Sequence, residues 1–260
     1  MTGSGEGFWA ALPLGRGVVL LKHDRNGVAA LAKPSGVLSH PNKPGDESRA
    51  LLNAPYVFDG EYFELSKAPS DPGREAPGGR RLWLLNRLDS ATSGVILAAA
   101  DETLARAIRA QFKRKQVHKV YFALVFGEPQ RESDTWRDRL AIDKRGGRIR
   151  TTEGPIPAEC AMSLVRAGKS PMPVSLIRLE PRTGRSHQLR VQCARRGLPI
   201  VGDQTYGDFA RNRAWAKLTG VKRMFLHSLE SRFNYELGGR AHAFAAVAPL
   251  PPEVEACVHA

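Results

Sequence analysis

The sequence predicts an α+β fold, in which helices pack on a large mixed, mainly antiparallel sheet. Three observations support this prediction. Segments with strand-like patterns outnumber helical ones, most connections between them are hairpin-like, and the segment that starts at residue 101 has a helical apolar repeat. No apolar run approaches the ~20 residues that cross a bilayer, so we expect no membrane span.

The 260 residues can form one large domain or two small ones, and length does not decide between them. Residues 1–17 are glycine-rich and predict a leader that is disordered or adds an extra turn. Residues 18–260 are predicted to form a single domain, with an exposed linker or loop at 66–81, where Pro, Gly, Ser and charge dominate. Three widely spaced cysteines argue against a disulfide framework or a structural zinc and favour core positions.

The first element is a hairpin, because the apolar runs Val18–Leu21 and Val28–Ala32 flank a turn that contains Asn26-Gly27. Asp101 is then a suitable N-cap for a helix. The apolar face of this helix is formed by Leu104, Ile108 and Phe112.

The second half of the chain predicts strands, short helices and one polar excursion. We expect a strand over Val117–Phe126, a hairpin excursion over Gln130–Pro157, a strand over Pro173–Leu179, a short helix from an N-cap at Ser186 to Gly197, a helix over Phe209–Leu218 stopped by Gly220, and strands over Met224–Phe233 and His242–Leu250.

The net charge of +13 indicates a polyanionic partner, most simply a nucleic acid. An acidic membrane surface is the competing explanation, but the amphipathic basic helix or lipidation signal that usually accompanies it is missing from both ends. Six basic residues on and after the helix that follows Asp101 are expected to contact phosphate, although such a run can be only a solvated face: Arg106, Arg109, Lys113, Arg114, Lys115 and Lys119. The start of the chain lacks a secretory signal, so we expect a cytoplasmic protein.

The stretch from Asn86 to Gly94 places one acid, Asp89, among leucines and before a strand-like apolar run. Burial beside Leu85 and Leu88 would desolvate the carboxylate unless a cation met it. One interpretation is that Asp89 lies near the floor of a functional cleft. The other is that it caps a turn and has no further role, and these residues alone do not decide between the two.

Four stretches occur in a specific order. They are Asn86-Arg87-Leu88-Asp89-x-x-Thr92-Ser93-Gly94, Lys119-x-Tyr121-x-Ala123-x-Val125-x-Gly127, Arg182-Thr183-Gly184-Arg185-x-His187-Gln188-x-Arg190-Val191 and Pro199-Ile200-x-Gly202-Asp203-x-x-Tyr206-Gly207. Together they resemble the RluA-like family of RNA pseudouridine synthases, and Lys33-Pro34-x-Gly36 and Phe225-Leu226-His227 resemble its flanking elements. Many relatives carry an RNA-binding module before the catalytic domain, and here we expect none.

The resemblance implies a pseudouridine-synthase-like fold with a central catalytic cleft. It implies that specific uridines in structured RNA, ribosomal or transfer, are isomerised to pseudouridine without a cofactor or a metal. The sequence has neither a Gly-rich phosphate loop nor a strand-linked Gly-x-Gly-x-x-Gly, so we expect no nucleotide cofactor, and we expect a monomer. RNA recognition is then expected from the catalytic domain itself, through the basic helix and the excursion at 130–157.

The resemblance also implies three catalytic residues. Asp89 is the nucleophile or base, and the route through the sugar carbon, the pyrimidine or a glycal is left open. Arg190 is the cation that holds Asp89, because a guanidinium can bind a carboxylate through two parallel hydrogen bonds. Tyr121 is expected to stack on the target base, which its aromatic face allows, although a core tyrosine is the alternative.

Four further residues are expected to bind the substrate. Arg87 would enter the RNA where the flipped uridine has left, although it can also be a surface arginine beside an acid. Leu226 would line the uracil pocket, unless it is an ordinary core leucine. Arg185 and Lys119 are the other two residues expected to bind the substrate.

The chain departs from the family pattern at three positions, with asparagine at Asn86, glutamine at Gln192 and serine at Ser228 where histidine, histidine and alanine are usual. His187 and Gln188 are expected to orient the helix and the turn at Asp203, because no serine or cysteine nucleophile is placed beside them.

Two other functions compete with isomerisation. One is a catalytically silent RNA-binding or RNA-assembly protein on the same fold. The other is an RNA glycosidase or nuclease that uses Asp89, although the sequence places no second carboxylate for that chemistry.

Overall fold

The computed structural model describes residues 4–65, 80–145, 148–168 and 172–259. The chain forms two compact units, one made of Met1–Val117 with Ser231–Ala248 and the other of His118–Glu230 with Pro249–Ala260. The elements of the described residues are, in chain order, α1 (Ser4–Ala10), β1 (Val19–His23), β2 (Val28–Lys33), β3 (Tyr56–Val57), β4 (Tyr62–Leu65), β5 (Arg80–Leu84), β6 (Ser93–Ala99), α2 (Glu102–Lys113), β7 (His118–Phe126), β8 (Ser133–Arg145), β9 (Arg148–Glu153), β10 (Ile156–Gly168), β11 (Val174–Pro181), α3 (Gln188–Arg195), α4 (Phe209–Thr219), β12 (Leu226–Leu237), β13 (Arg240–Val247) and α5 (Pro252–His259). Mainly antiparallel strands and a few short helices confirm the predicted α+β class.

In the first unit, β1 and β2 form the predicted antiparallel hairpin. Gly27 closes its turn with a φ of 98°, a conformation that glycine adopts without steric cost. Strand β2 pairs with β6 along its whole length, so the apolar run of each strand is buried in one core. Helix α2 begins as predicted, because the Asp101 carboxylate accepts a hydrogen bond from the Leu104 N–H at 2.8 Å, and Leu104 and Ile108 are buried.

Two parts of the first unit differ from the prediction. Residues 4–10 of the expected leader form α1, and its Trp9 is buried and stacks on His23 with 5.4 Å between ring centroids. A large aromatic side chain stabilises such a segment by the apolar area it removes from water. Residues 66–79 of the expected linker lie outside the described residues, and Arg80 and Arg81 at its end begin strand β5.

In the second unit, neighbouring strands follow the order β7-β11-β10-β8-β9, and each neighbouring pair is antiparallel. The predicted excursion is a hairpin of β8 and β9, whose turn at 146–147 is not described. Helix α4 has the predicted end, since Gly220 follows it with a φ of 73°.

Two elements of the second unit were predicted incorrectly or missed. The N-cap of α3 is His187, in a left-handed conformation with a φ of 52°, rather than Ser186. Helix α5 follows Pro251, where the prediction had only a proline stop. Proline is compatible with the first turn of a helix, because the N–H it lacks would have no partner within the helix.

Two of the three cysteines lie in the core, as their spacing predicted. Cys160 and Cys193 are free and fully buried, as predicted for core residues, and burial raises the pKa of the Cys160 thiol to about 12. The side chain of Cys257 is not described. Within the described ranges, every helix is too short or too polar to cross a bilayer.

Candidate functional site

Asp89 lies in the loop between β5 and β6, in the first unit. Its backbone carbonyl accepts a hydrogen bond from the Thr92 N–H at 3.0 Å, so the backbone itself closes the turn. The side chain is half-buried, and the neighbouring Leu88 and Thr92 are almost fully buried. Asp89 is thus carried on a closed turn, between almost fully buried neighbours.

A buried lysine holds this loop. The side chain of Lys33, at the end of β2, is 1% exposed. Its ammonium donates hydrogen bonds to the carbonyls of Pro34 at 3.0 Å, Val37 at 2.7 Å and Ser90 at 3.0 Å. A buried ammonium needs such acceptors, and here they tie the residue after Asp89 to the segment that follows β2.

Two serines of the same segment fix the loop on either side of Asp89. Ser39 Oγ donates to the Leu88 carbonyl at 2.7 Å and accepts from the Leu88 N–H at 3.0 Å. Ser35 Oγ donates to the Ala91 carbonyl at 2.8 Å. The sequence prediction missed these supporting roles, although Lys33 at the end of an apolar strand was a signal for a buried, bonded cation.

Arg87 is exposed, with 59% of its side chain accessible, and its Nη1 lies 3.8 Å from Glu61 Oε1. Arg109 of α2 also contacts the Glu61 carboxylate, at 3.5 Å, and it donates to the Leu84 carbonyl at 2.6 and 2.9 Å. Arg109 thus binds the protein's own backbone, while Arg87 has the exposure that a contact with RNA requires.

In the second unit, Lys119 and Tyr121 are two residues apart on β7, so their side chains point to the same face of the strand. Tyr121 is half-buried and its backbone pairs with Leu179 of β11. The Lys119 Nζ lies 3.5 Å from the Thr183 carbonyl, and burial lowers the pKa of this ammonium.

Arg190 of α3 forms a buried ion pair with Asp203. Its Nε and Nη2 donate to Oδ2 and Oδ1 of Asp203, each at 2.7 Å. The guanidinium also lies over the Tyr206 ring, 5.1 Å from its centroid. Burial alone would raise the pKa of Asp203, but the hydrogen bonds and charge of Arg190, with N–H groups of Thr205 and Tyr206, bring it below its ordinary value. The sequence prediction did not include this partner of Arg190.

His187 and Gln188 have the orienting contacts predicted for them. The His187 Nδ1 lies 2.8 Å from the Tyr206 hydroxyl, within the turn that starts at Asp203. The Gln188 Oε1 accepts from the Thr183 hydroxyl at 2.7 Å and from the Arg185 N–H at 3.1 Å. These bonds fix the start of α3 against the loop that precedes it.

The two remaining residues predicted to bind the substrate differ in their exposure. Arg185 is exposed and its Nε donates to the Pro157 carbonyl at 3.3 Å. Leu226 is the first residue of β12 and is 4% exposed.

The three departures from the family pattern have different environments. Asn86 Oδ1 accepts from the Leu97 N–H of β6 at 2.7 Å. Gln192 is fully buried, donates to Asp138 Oδ2 at 2.7 Å and accepts from Gln188 at 3.1 Å. Ser228 is also fully buried, but its hydroxyl has no hydrogen-bond partner among the described residues.

A comparison with protein families matches residues 27–195 to the RNA pseudouridylate synthase family. This range contains Asp89, Tyr121 and Arg190 and ends before Leu226.

Relatives of the chain are also named as pseudouridine synthases. The chain is 35% identical over 159 residues to the ribosomal large subunit pseudouridine synthase C of Vibrio vulnificus, covering 61% of this chain and 49% of the relative. It is 32% identical over 178 residues to the tRNA pseudouridine synthase C of Yersinia pestis, covering 65% and 69%. The match thus spans about half the length of the first relative and about two thirds of the second.

Two solved human structures share the fold. The human RNA pseudouridylate synthase domain containing 1 protein superimposes with a TM-score of 0.65 at 24% identity, covering 92% of this chain and 87% of the other. The human domain containing 4 protein gives a TM-score of 0.64 at 19% identity, covering 92% and 91%.

Proposed function

The chain belongs to the RNA pseudouridylate synthase family, and we propose on this basis that it isomerises specific uridines in structured RNA to pseudouridine. The observation that carries the proposal is the family match over residues 27–195, which contains the three residues assigned to catalysis, Asp89, Tyr121 and Arg190. The relatives are named for ribosomal and for transfer RNA, which supports a substrate from one of these two classes.

In the proposed reaction, the bond between uracil N1 and the ribose C1′ breaks, the base turns, and a bond forms between C5 and C1′. C5 loses a proton and N1 gains one, so the product is an isomer and no oxidant or reductant takes part. Asp89 acts as the nucleophile or base. The hydrogen bonds from Lys33, Ser35 and Ser39 hold its loop, which supports the role because a fixed reactive group lowers the entropic part of the barrier.

Arg190 is proposed to keep Asp89 charged, as the family resemblance implies. The bonds of Nε and Nη2 to Asp203 hold the guanidinium in one orientation, which supports this role. Asp203 would then be a positioning residue that fixes Arg190 on α3.

The remaining residues are proposed to bind RNA. Tyr121 stacks on the target base, Leu226 lines the uracil pocket, and Arg87 fills the gap left by the flipped uridine. Arg185 and Lys119 contact the substrate beside them. We propose that the protein acts in the cytoplasm as a monomer, without a metal or a nucleotide cofactor, and that its charge of +13 supplies much of the affinity for RNA.

Pseudouridine mapping tests the proposal. Ribosomal and transfer RNA from cells with and without the gene would be mapped, with wild-type protein restored in a third strain. We expect at least one uridine to lose modification on deletion and to regain it with the wild-type protein. Identical maps in all three strains would show that the proposed activity is wrong.

A further inference from the structure

A cavity of about 750 Å³ lies in the first unit, outside the residues assigned to catalysis. Two turns form it, the one between β1 and β2 and the one between β12 and β13. Its lining includes Asp24, Arg25, Asn26, Tyr235, Arg240 and His242. We call this space the hairpin cavity.

Hydrogen bonds join the turn between β1 and β2 to strand β12 and keep the hairpin cavity preformed. The Tyr235 hydroxyl donates to the Asp24 carboxylate and accepts from Asn26 Nδ2 at 2.7 Å. Asp24 Oδ1 also accepts from the N–H groups of Asn26 at 3.0 Å and Val28 at 2.9 Å. Burial and the bond to Asp24 raise the pKa of Tyr235 to about 12, so the phenol keeps the donated proton at neutral pH.

The polar lining is positively charged. Asp24 is the single acid among the residues around the hairpin cavity, and its carboxylate is already bound by three donors. Arg25 and Arg240 are exposed, and no ion pair is found for either one in the part of the chain that the structure describes. Both guanidinium groups are therefore suited to an external anion.

The lining of the hairpin cavity also includes an aromatic surface. The His242 ring stacks on Tyr235 with 5.2 Å between centroids and 24° between planes. Tyr235 is 2% exposed, whereas His242 is half-buried, so His242 is the ring that a ligand in the hairpin cavity can reach. A planar ligand with a negative charge, such as a nucleotide, matches both features.

We propose that the hairpin cavity binds one unpaired nucleotide of the substrate RNA, with its base stacked on His242 and the adjacent phosphates bound by Arg25 and Arg240. The volume is within the range of sites that hold small molecules. The inference rests on the proposed function, because it takes RNA to be the substrate. RNA is favoured over a free nucleotide because both arginines are exposed and a chain with a charge of +13 attracts a polyanion.

Binding to a labelled single-stranded RNA of mixed sequence and to unfractionated transfer RNA would be measured by fluorescence anisotropy, over a range of salt concentrations. We expect His242→Ala to weaken binding about fivefold or more and His242→Phe to restore it, because phenylalanine keeps the stacking face. The double variant Arg25→Ala/Arg240→Ala should lower the slope of log K against log salt by about 1.4, the value for two phosphate contacts on a single strand.

Arg16→Ala is the matched control, since Arg16 is an exposed arginine of the same unit away from the hairpin cavity. Equal affinity and salt slope for Arg16→Ala and the two cavity variants would overturn the inference. Uridine monophosphate that binds as tightly as the RNA would overturn the assignment to RNA. The melting temperature shows whether His242→Ala is folded. If it is not, the affinity and salt slope of the double variant test the inference.

Tritium release from RNA labelled at uracil C5 would be measured in parallel. Wild-type activity with no binding defect in the cavity variants would reject the hairpin cavity and leave the proposed function intact. RNA binding that depends on the cavity, in a wild-type protein that releases no tritium, would reject the function and leave the cavity as an RNA site.

Discussion

Arg190 and Asp203 are joined by two parallel hydrogen bonds of 2.7 Å, and 8% of the Arg190 and 1% of the Asp203 side chain is exposed. The pair links helix α3 to the turn at residues 203–206, where Asp203 Oδ1 also accepts from the N–H groups of Thr205 and Tyr206. A guanidinium held in this way has one orientation, which is what a residue that must present a charge to a reacting group requires.

Asp203→Asn should lower the free energy of unfolding by about 3 kcal/mol, because it leaves the buried Arg190 without its counter-charge. The pKa of Asp203 is lowered from 3.8, so the stability it contributes is present above pH ~4 and is lost as the pH falls below that value. Between pH 7 and pH 3, the free energy of unfolding should therefore fall less in the variant than in the wild type, as measured by urea denaturation.

Asp208→Asn is the control for this change. Asp208 caps α4 at a half-buried position, and asparagine caps helices as well as aspartate does, so the free energy of unfolding of this variant should stay within about 0.5 kcal/mol of the wild type. Equal stabilities for the two variants would contradict a structural role for the Arg190 and Asp203 pair.

Lys33→Met should lower the free energy of unfolding by about 3 kcal/mol, because three backbone carbonyls lose their donor. It should also reduce tritium release about 100-fold, since a small displacement of the Asp89 loop misplaces the reacting carboxylate. Lys22→Met is the control at an exposed lysine of β1, where both quantities should be close to those of the wild type. Unchanged activity in a folded Lys33→Met protein would show that the loop does not depend on this lysine.

Asn86→Ala should lower the free energy of unfolding by about 1 to 3 kcal/mol, because the buried N–H of Leu97 loses the hydrogen-bond acceptor that lies 2.7 Å away. Asn86→His restores the residue that is usual in the family, and an imidazole nitrogen can accept the same hydrogen bond, so its stability should exceed that of the alanine variant. Thermal denaturation compares the two, and equal melting temperatures would rule out this role for the side chain at position 86.

Ser228→Ala should be neutral or stabilising, because the buried hydroxyl has no partner among the described residues. Ser39→Ala is the matched test at a second buried serine, whose hydroxyl makes two hydrogen bonds to Leu88. Ser39→Ala should lower the free energy of unfolding by about 1 to 3 kcal/mol. Equal losses in urea denaturation would mean that the Ser228 hydroxyl is bonded in solution.

Local signals predicted much of the fold. The hairpin at Asn26-Gly27, the start of α2 at Asp101 and the end of α4 at Gly220 depend on residues within a few positions of each other, and the structure contains all three. Helix α5 was missed because Pro252 was taken as a stop, although it occupies the first position of the helix. Its stability depends on tertiary contacts such as the buried Val254 and the 2.6 Å pair of Glu253 with Arg223, which no local pattern shows.

The motifs identified the residues proposed to react but not those that hold them. Lys33 reaches Ser90 across 57 positions of sequence, and Ser39 reaches Leu88 across 49. Contacts this distant arise from the pairing of β2 with β6, so they can be seen only once the strands are assembled. The partner of Arg190 was missed for a related reason, because the turn that carries Asp203 lies beyond the end of α3.

Tritium release by Asp89→Asn, compared with wild-type protein on cellular RNA labelled at uracil C5, tests the central proposal most directly. The variant keeps the size of the side chain and removes its charge, and RNA affinity measured beside it should stay within several-fold, since phosphate contacts supply most of the binding. We expect release by the wild type and none by the variant. Release by Asp89→Asn at the wild-type rate would contradict the assignment of Asp89 as the residue that performs the isomerisation.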